Sequence, residues 1–153
     1  MLASSQFFVC LWVLFEGAPP LGSAPEAVTL RGKVVTLAAA LESRGLGLKA
    51  DAEPIAKQVV LLAEDGSITP LLSDEASRAL FLDERLRNCR AEIQGRRFQG
   101  MPYLQVSTFK VERDGRLQAP ESFCDVCAIS VHHPQSCPCC QGPRVLRMKP
   151  DRR

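Results

Sequence analysis

The residues that could do chemistry crowd one end of the chain. Cys124 and Cys127 are followed, after nine intervening residues, by Cys137, with Cys139 and Cys140 close behind. Read as C-x-x-C, nine residues, C-x-x-C, the run carries two thiolate pairs on two tight turns. That pattern presents four sulfurs tetrahedrally to Zn2+, because each turn brings two thiols to one point. The expected ligands are Cys124, Cys127, Cys137 and Cys140. Cys139 adjoins a ligand and should point elsewhere, while His132 and His133 lie between the pairs and could replace a sulfur, as could Cys139. Pro134 and Pro138 stiffen the segment, and Gly142-Pro143 resembles the turn after a zinc knuckle. A site closed by four protein ligands performs no reaction; it folds a segment too short to bury a core of its own.

The same thiols fit other chemistry. Soft Cu+ binds thiolates well. Disulfides would suit an oxidising compartment, although neighbouring cysteines bridge each other only with awkward geometry. If Cys10 is removed with a leader, six cysteines remain, and four zinc ligands would leave Cys89 and Cys139 as one bridge; parity does not separate the readings. Thiol exchange is a further alternative, but Asp125 between Cys124 and Cys127 would raise a thiol pKa. Covalent haem is not expected, since Ala128 stands where a C-x-x-C-H attachment needs histidine.

No other catalytic constellation is present. The chain has no G-x-S-x-G, P-loop, H-E-x-x-H or G-x-G-x-x-G. Its only two histidines lie in the Cys-rich segment. The expectation is therefore a binding or scaffolding protein, not an enzyme. With 153 residues, 46% hydrophobic and 24% charged, the chain is one ordinary domain or a small domain plus an appendage.

The elements that must position the cysteines follow from pattern. Val28–Leu37 reads as a strand with Gly32 at a bend. Ala38–Ser43 reads as a short helix. Lys57–Ala63 and Ile68–Leu72 flank Asp65-Gly66, a hairpin signal, with Pro70 pushing the return strand to an edge. A helix capped by Ser73 should run to Asn88, and Cys89–Gln94 and Tyr103–Glu112 complete a set of five strands. The fold class is thus mainly β, with one helix between strands three and four and a short Cys-rich appendage. Asp114-Gly115 marks another turn.

This order, carried by Leu30-Arg31-Gly32-Lys33-Val34, the Asp65-Gly66 hairpin and the final pair IQGRRFQGMPYLQVSTFKV, resembles small exported bacterial OB-fold-like proteins. The resemblance implies a five-stranded β-barrel over residues 28–118. A Cys-rich segment at 119–143 and a solvated basic tail at 144–153 follow it. OB domains can bind through aromatics and a basic groove, so Arg96, Arg97, Phe98, Tyr103 and Phe109 form a candidate ligand face, Tyr103 and Phe109 sharing one side if the strand is regular. Aromatics filling the barrel is the plainer reading, and a net charge of +2 gives no ground for a nucleic-acid partner. The expected partner is a protein or a small ligand.

Phe7–Phe15 is an unbroken apolar run, too short to cross a bilayer as a helix. It fits the core of a secretory signal over residues 1–24, giving an exported protein, periplasmic or secreted. If uncleaved, the run would act as a membrane anchor.

Overall fold

The computed structural model describes residues 24–45 and 52–150, so the apolar N-terminal run lies outside the described residues. Eight strands form one antiparallel sheet. They are β1 (Glu26–Thr36), β2 (Val59–Leu62), β3 (Ile68–Pro70), β4 (Arg90–Arg97), β5 (Leu104–Arg113), β6 (Arg116–Cys124), β7 (Ile129–Val131) and β8 (Val145–Pro150). The helices are short: α1 (Leu37–Ser43), α2 (Ala52–Ala56) and α3 (Arg78–Leu82), followed by a single 3-10 turn at Glu84–Leu86.

The pairing path is β3-β2-β1-β4-β5-β6-β7, with β8 also on β6. Long β1 serves two neighbours in succession: Glu26 to Lys33 face β4, and Lys33 to Thr36 face β2. Gly32 stands at the changeover, where a Cβ would come within 2.5 Å of the Leu62 carbonyl oxygen. Only glycine lets the two backbones approach so closely. Just past the end of β3, Leu71 forms a parallel bridge with Leu104, and the Leu72 N–H donates to the Leu104 carbonyl at 2.9 Å.

The first five strands fall where the sequence pattern puts them. The expected helix after β3 is much shorter than its apolar spacing suggests. Ser77, fully buried, donates its hydroxyl to the Leu72 carbonyl at 2.6 Å and accepts the Asp74 N–H at 3.0 Å. That local ring competes with helix formation, and α3 begins only after it. Asp83 then leaves the helix in extended conformation and accepts the Arg85 N–H, starting the 3-10 turn.

The chain does not leave the sheet after five strands. Asp114 and Gly115 both take left-handed backbone (φ 51° and 70°), the conformation of a two-residue hairpin. The turn returns the chain as β6, which runs past residue 118, the expected end of the β domain, and stays in the same sheet to Cys124. The segment expected as a solvated basic tail includes β8, which pairs with β6 from Gln118↔Pro150 to Phe123↔Val145. Ser122 and Phe123 pair with β7 and β8 at once, so these two strands flank β6 from opposite sides.

Val34, Val59, Leu61, Leu71, Leu80, Leu86, Ile93, Leu104 and Val111 form the buried core. Leu146 and Met148 of β8 pack against it, as does Cys89. The C-terminal strand therefore shares the core of the first five strands.

Candidate metal centre

β6 ends by burying Cys124, and the chain then makes the same turn twice. The Ala128 N–H donates to the Cys124 carbonyl at 2.9 Å, and the Gln141 N–H donates to the Cys137 carbonyl at 2.9 Å. In both turns the residue after the second cysteine is left-handed, Ala128 at φ 55° and Gln141 at φ 57°. Each C-x-x-C is thus wound by an identical backbone device. β7 and the loop after it carry the chain from the first turn to the second.

The two turns face each other. The sulfurs of Cys124, Cys127, Cys137 and Cys140 all lie within 4.8 Å of one another. Cys124 Sγ and Cys140 Sγ, from different turns, are 3.5 Å apart. A tetrahedron with ~2.3 Å metal–sulfur bonds has edges of ~3.8 Å, so these sulfurs need shift little to meet a metal ion. The donor set is uniform and soft. Cys124 and Cys137 are buried and Cys140 is exposed. The site therefore has an inner and an outer half.

The remaining candidates lie outside this quartet. Cys139 is exposed and stands outside the group of mutually close sulfurs. His132 is exposed and lines a groove on the sheet. His133 is buried, with Nδ1 lacking a hydrogen-bond partner. Cys89 packs against the core of the sheet, its thiol donating to the Leu86 carbonyl at 3.3 Å. All six described cysteines are unbridged in this structure.

Backbone N–H groups prepare the site for negative sulfur. Those of Cys140 and Cys139 point at the Cys137 sulfur and, with the Cys124 thiol, hold its pKa down at about 6 despite burial. Cys127 goes the other way: hydrogen bonds with the Cys139 and Cys140 thiols push it far above the ordinary thiol range. The Gly142 N–H and the Cys127 thiol favour the Cys140 thiolate, but the Cys124 thiol, partial desolvation and the Cys137 thiol still raise its pKa. Cys137 accommodates a negative sulfur readily, while Cys127 and Cys140 resist ionisation. A bound cation removes that resistance.

The surroundings lock the segment to the sheet. Arg144 donates to the Gln135 carbonyl at 2.7 Å and to the Ser136 carbonyl at 3.0 Å, bracing the loop from the start of β8. Arg147 pairs with Asp125 of the first turn, and its guanidinium lies 3.6 Å from the centre of the Phe123 ring. Lys149 pairs with Glu121. Arg147 and Lys149 thus make these pairs while their side chains stay exposed. Between residues 125 and 144 only His133 and Cys137 are buried, so the segment has almost no core of its own.

The five residues of the candidate ligand face differ in exposure, Phe98 and Tyr103 being half-buried. Arg96 and Arg97 are exposed at the end of β4, whereas Phe109 packs against the core. The β4–β5 register jumps between Gln94↔Thr108 and Gly95↔Val106, leaving Ser107 as an extra residue. This bulge reverses the alternation of β5, so Phe109 joins the inward side of Leu104 and Val106. Tyr103, preceding the strand, does not share it. Compared with known proteins, the chain matches no family model, no curated protein and no solved structure.

Proposed function

We propose that this chain is a small exported binding or scaffolding module, an OB-type barrel whose C-terminal strands are held by a structural zinc ion. The observation that carries the reading is the quartet of sulfurs mutually within 4.8 Å, contributed by two identically wound turns. Four thiolates and no open position suit a structural zinc and leave no room for a reacting ligand. Cys124, Cys127, Cys137 and Cys140 would hold the ion, which supplies folding free energy on the order of 10 kcal/mol. The order of the first five strands, with α3 between β3 and β4, supports the barrel type. So does the parallel Leu71–Leu104 bridge, which joins the two ends of that path.

Binding would use the space beside β5 and β6. A groove of about 450 Å³ opens where β5 has left β6 and β7 has not yet begun, with Phe109, Pro120, Glu121 and Ser130 in its walls. That volume falls within the range of small-molecule sites. The second reading, a thiol-active or Cu+-carrying protein, is favoured by Cys139, a fifth thiol in the same segment. The export reading rests on the Phe7–Phe15 run.

Elemental analysis and free-thiol titration of protein purified without reductant test both readings. The expected result is about one zinc per chain, lost together with C-terminal order in Cys124→Ser. Bound copper in place of zinc, or metal-free chains with reactive thiols, would favour the second reading. Metal-free chains without free thiols would make the cysteines disulfide staples.

A further inference from the structure

Among the described residues, three buried side-chain atoms lack a hydrogen-bond partner: Glu121 Oε2, His133 Nδ1 and Arg144 Nη1. Glu121 Oε2 lies against the Lys149 ammonium. The other two belong to one corner of the molecule. Arg144 directs Nε and Nη2 to the Gln135 and Ser136 carbonyls, at 2.7 and 3.0 Å, which places its guanidinium beside the stretch that begins at His133. The turn before α3 borders the same stretch, since Ala76 and His132 line one groove. Two residues after Ala76, Arg78 opens α3 and is exposed, whereas His133 is 7% exposed. Burial first, then the charges of Arg78 and Arg144, disfavour a proton on the imidazole, with Glu75 opposing them. Two guanidinium groups thus stand against one carboxylate. An arginine nitrogen only donates, so the partner that Nη1 lacks is an acceptor; His133 Nδ1 donates in one of its tautomers. A buried donor left unmade is costly. A water molecule would fill that need but leave the surplus positive charge, which an anion also answers. Guanidinium forks match the oxygens of phosphate.

We propose that Arg144, His133 and Arg78 form a binding site for a phosphate group. Its oxygens accept from Arg144 Nη1 and His133 Nδ1, and Arg78 closes the site from the solvent side. The phosphate is either free or the end of a monoester; the recognising chemistry is the same. None of the three residues belongs to the cysteine quartet, so the site is independent of the metal reading. A bound phosphate would tie α3 to the start of β8, joining the first part of the chain to its C-terminal strand through charge.

The test titrates the full chain with inorganic phosphate, and separately with methyl phosphate, by calorimetry in a low-salt zwitterionic buffer. The expected result is saturable binding of one phosphate per chain. Arg78→Ala and Arg144→Lys should each weaken it roughly tenfold, the second because lysine keeps the charge and loses the fork. Arg116→Ala, which removes an exposed charge at the β5–β6 hairpin, should leave it unchanged. Arg78 is exposed, so its variant should melt with the parent in the absence of phosphate and its loss of binding is not a loss of folding. Methyl phosphate bound as well as inorganic phosphate supports a site for monoesters; inorganic phosphate alone supports a site for the free ion. Absence of saturable binding, equal weakening in Arg116→Ala, or undiminished binding in either Arg78→Ala or Arg144→Lys overturns the phosphate site and leaves the metal reading standing.

Discussion

Ala128 and Gln141 occupy left-handed backbone that favours glycine, each just after the second cysteine of its turn. A side chain there costs about 1 kcal/mol. Ala128→Gly and Gln141→Gly should each raise the stability of the metal-loaded protein by roughly 0.5–1 kcal/mol, read as a higher melting temperature. His133 makes a second prediction at this scale. Burial first, then the charges of Arg78 and Arg144, hold its imidazole below the ordinary value of 6.5, with Glu75 opposing them and His132 adding to them. The unfolded chain therefore takes up this proton first. The stability contribution is complete above about pH 6.5 and falls as the pH drops through the lowered native value. Urea unfolding at pH 7.5 and 5.5 should show a smaller pH difference for His133→Asn than for the parent, the ion's own pH dependence being common to both. The cysteine quartet was legible from spacing, because two turns of fixed geometry leave the sulfurs little choice. The burial of His133 was not, since it depends on where α3 and the loop come to rest.

Among the elements, β1 and β4 hold their geometry through glycines. A Cβ at Gly32 would stand 2.5 Å from the Leu62 carbonyl oxygen, and one at Gly95 2.4 Å from that of Gln105. Both obstacles are backbone and cannot rotate away. Gly32→Ala and Gly95→Ala should each cost about 2–3 kcal/mol, measured as a lowered urea midpoint with unchanged slope. Gly115→Ala, with nothing near its would-be Cβ, should lose only the advantage of positive φ, about 1 kcal/mol. The five leading strands could be read because their β-branched runs and Asp-Gly turns agree. β6 and β8 escaped notice for a physical reason. Pro120 lies where β6 passes from β5 to β7, between the registers that end at Gln118 and resume at Ser122. A missing N–H costs no ladder bond there. Composition hid a strand that pairing supports. The Tyr103–Phe109 alternation failed for the related reason that one extra residue, Ser107, reverses a strand without leaving a mark in sequence.

For the molecule as a whole, the C-terminal strand is structural. Removing the chain from Arg144 onward would uncover the core beside Leu146 and Met148 and strip β6 of a neighbour. The expected loss is about 3 kcal/mol or more in urea unfolding followed by circular dichroism; a detachable appendage would leave the midpoint unchanged. The antiparallel run of β8 along β6 also sets how the molecule would answer a mechanical pull. Tension applied at Pro150 acts first on the Gln118↔Pro150 pair and peels β8 one rung at a time, like a zip, toward Phe123↔Val145. Such a geometry yields at low load. The advancing tear then meets the two cysteine turns, where a bound ion would oppose it with metal–sulfur bonds in place of successive hydrogen bonds. The chain is therefore compliant over six residues and stiff at the point where they end.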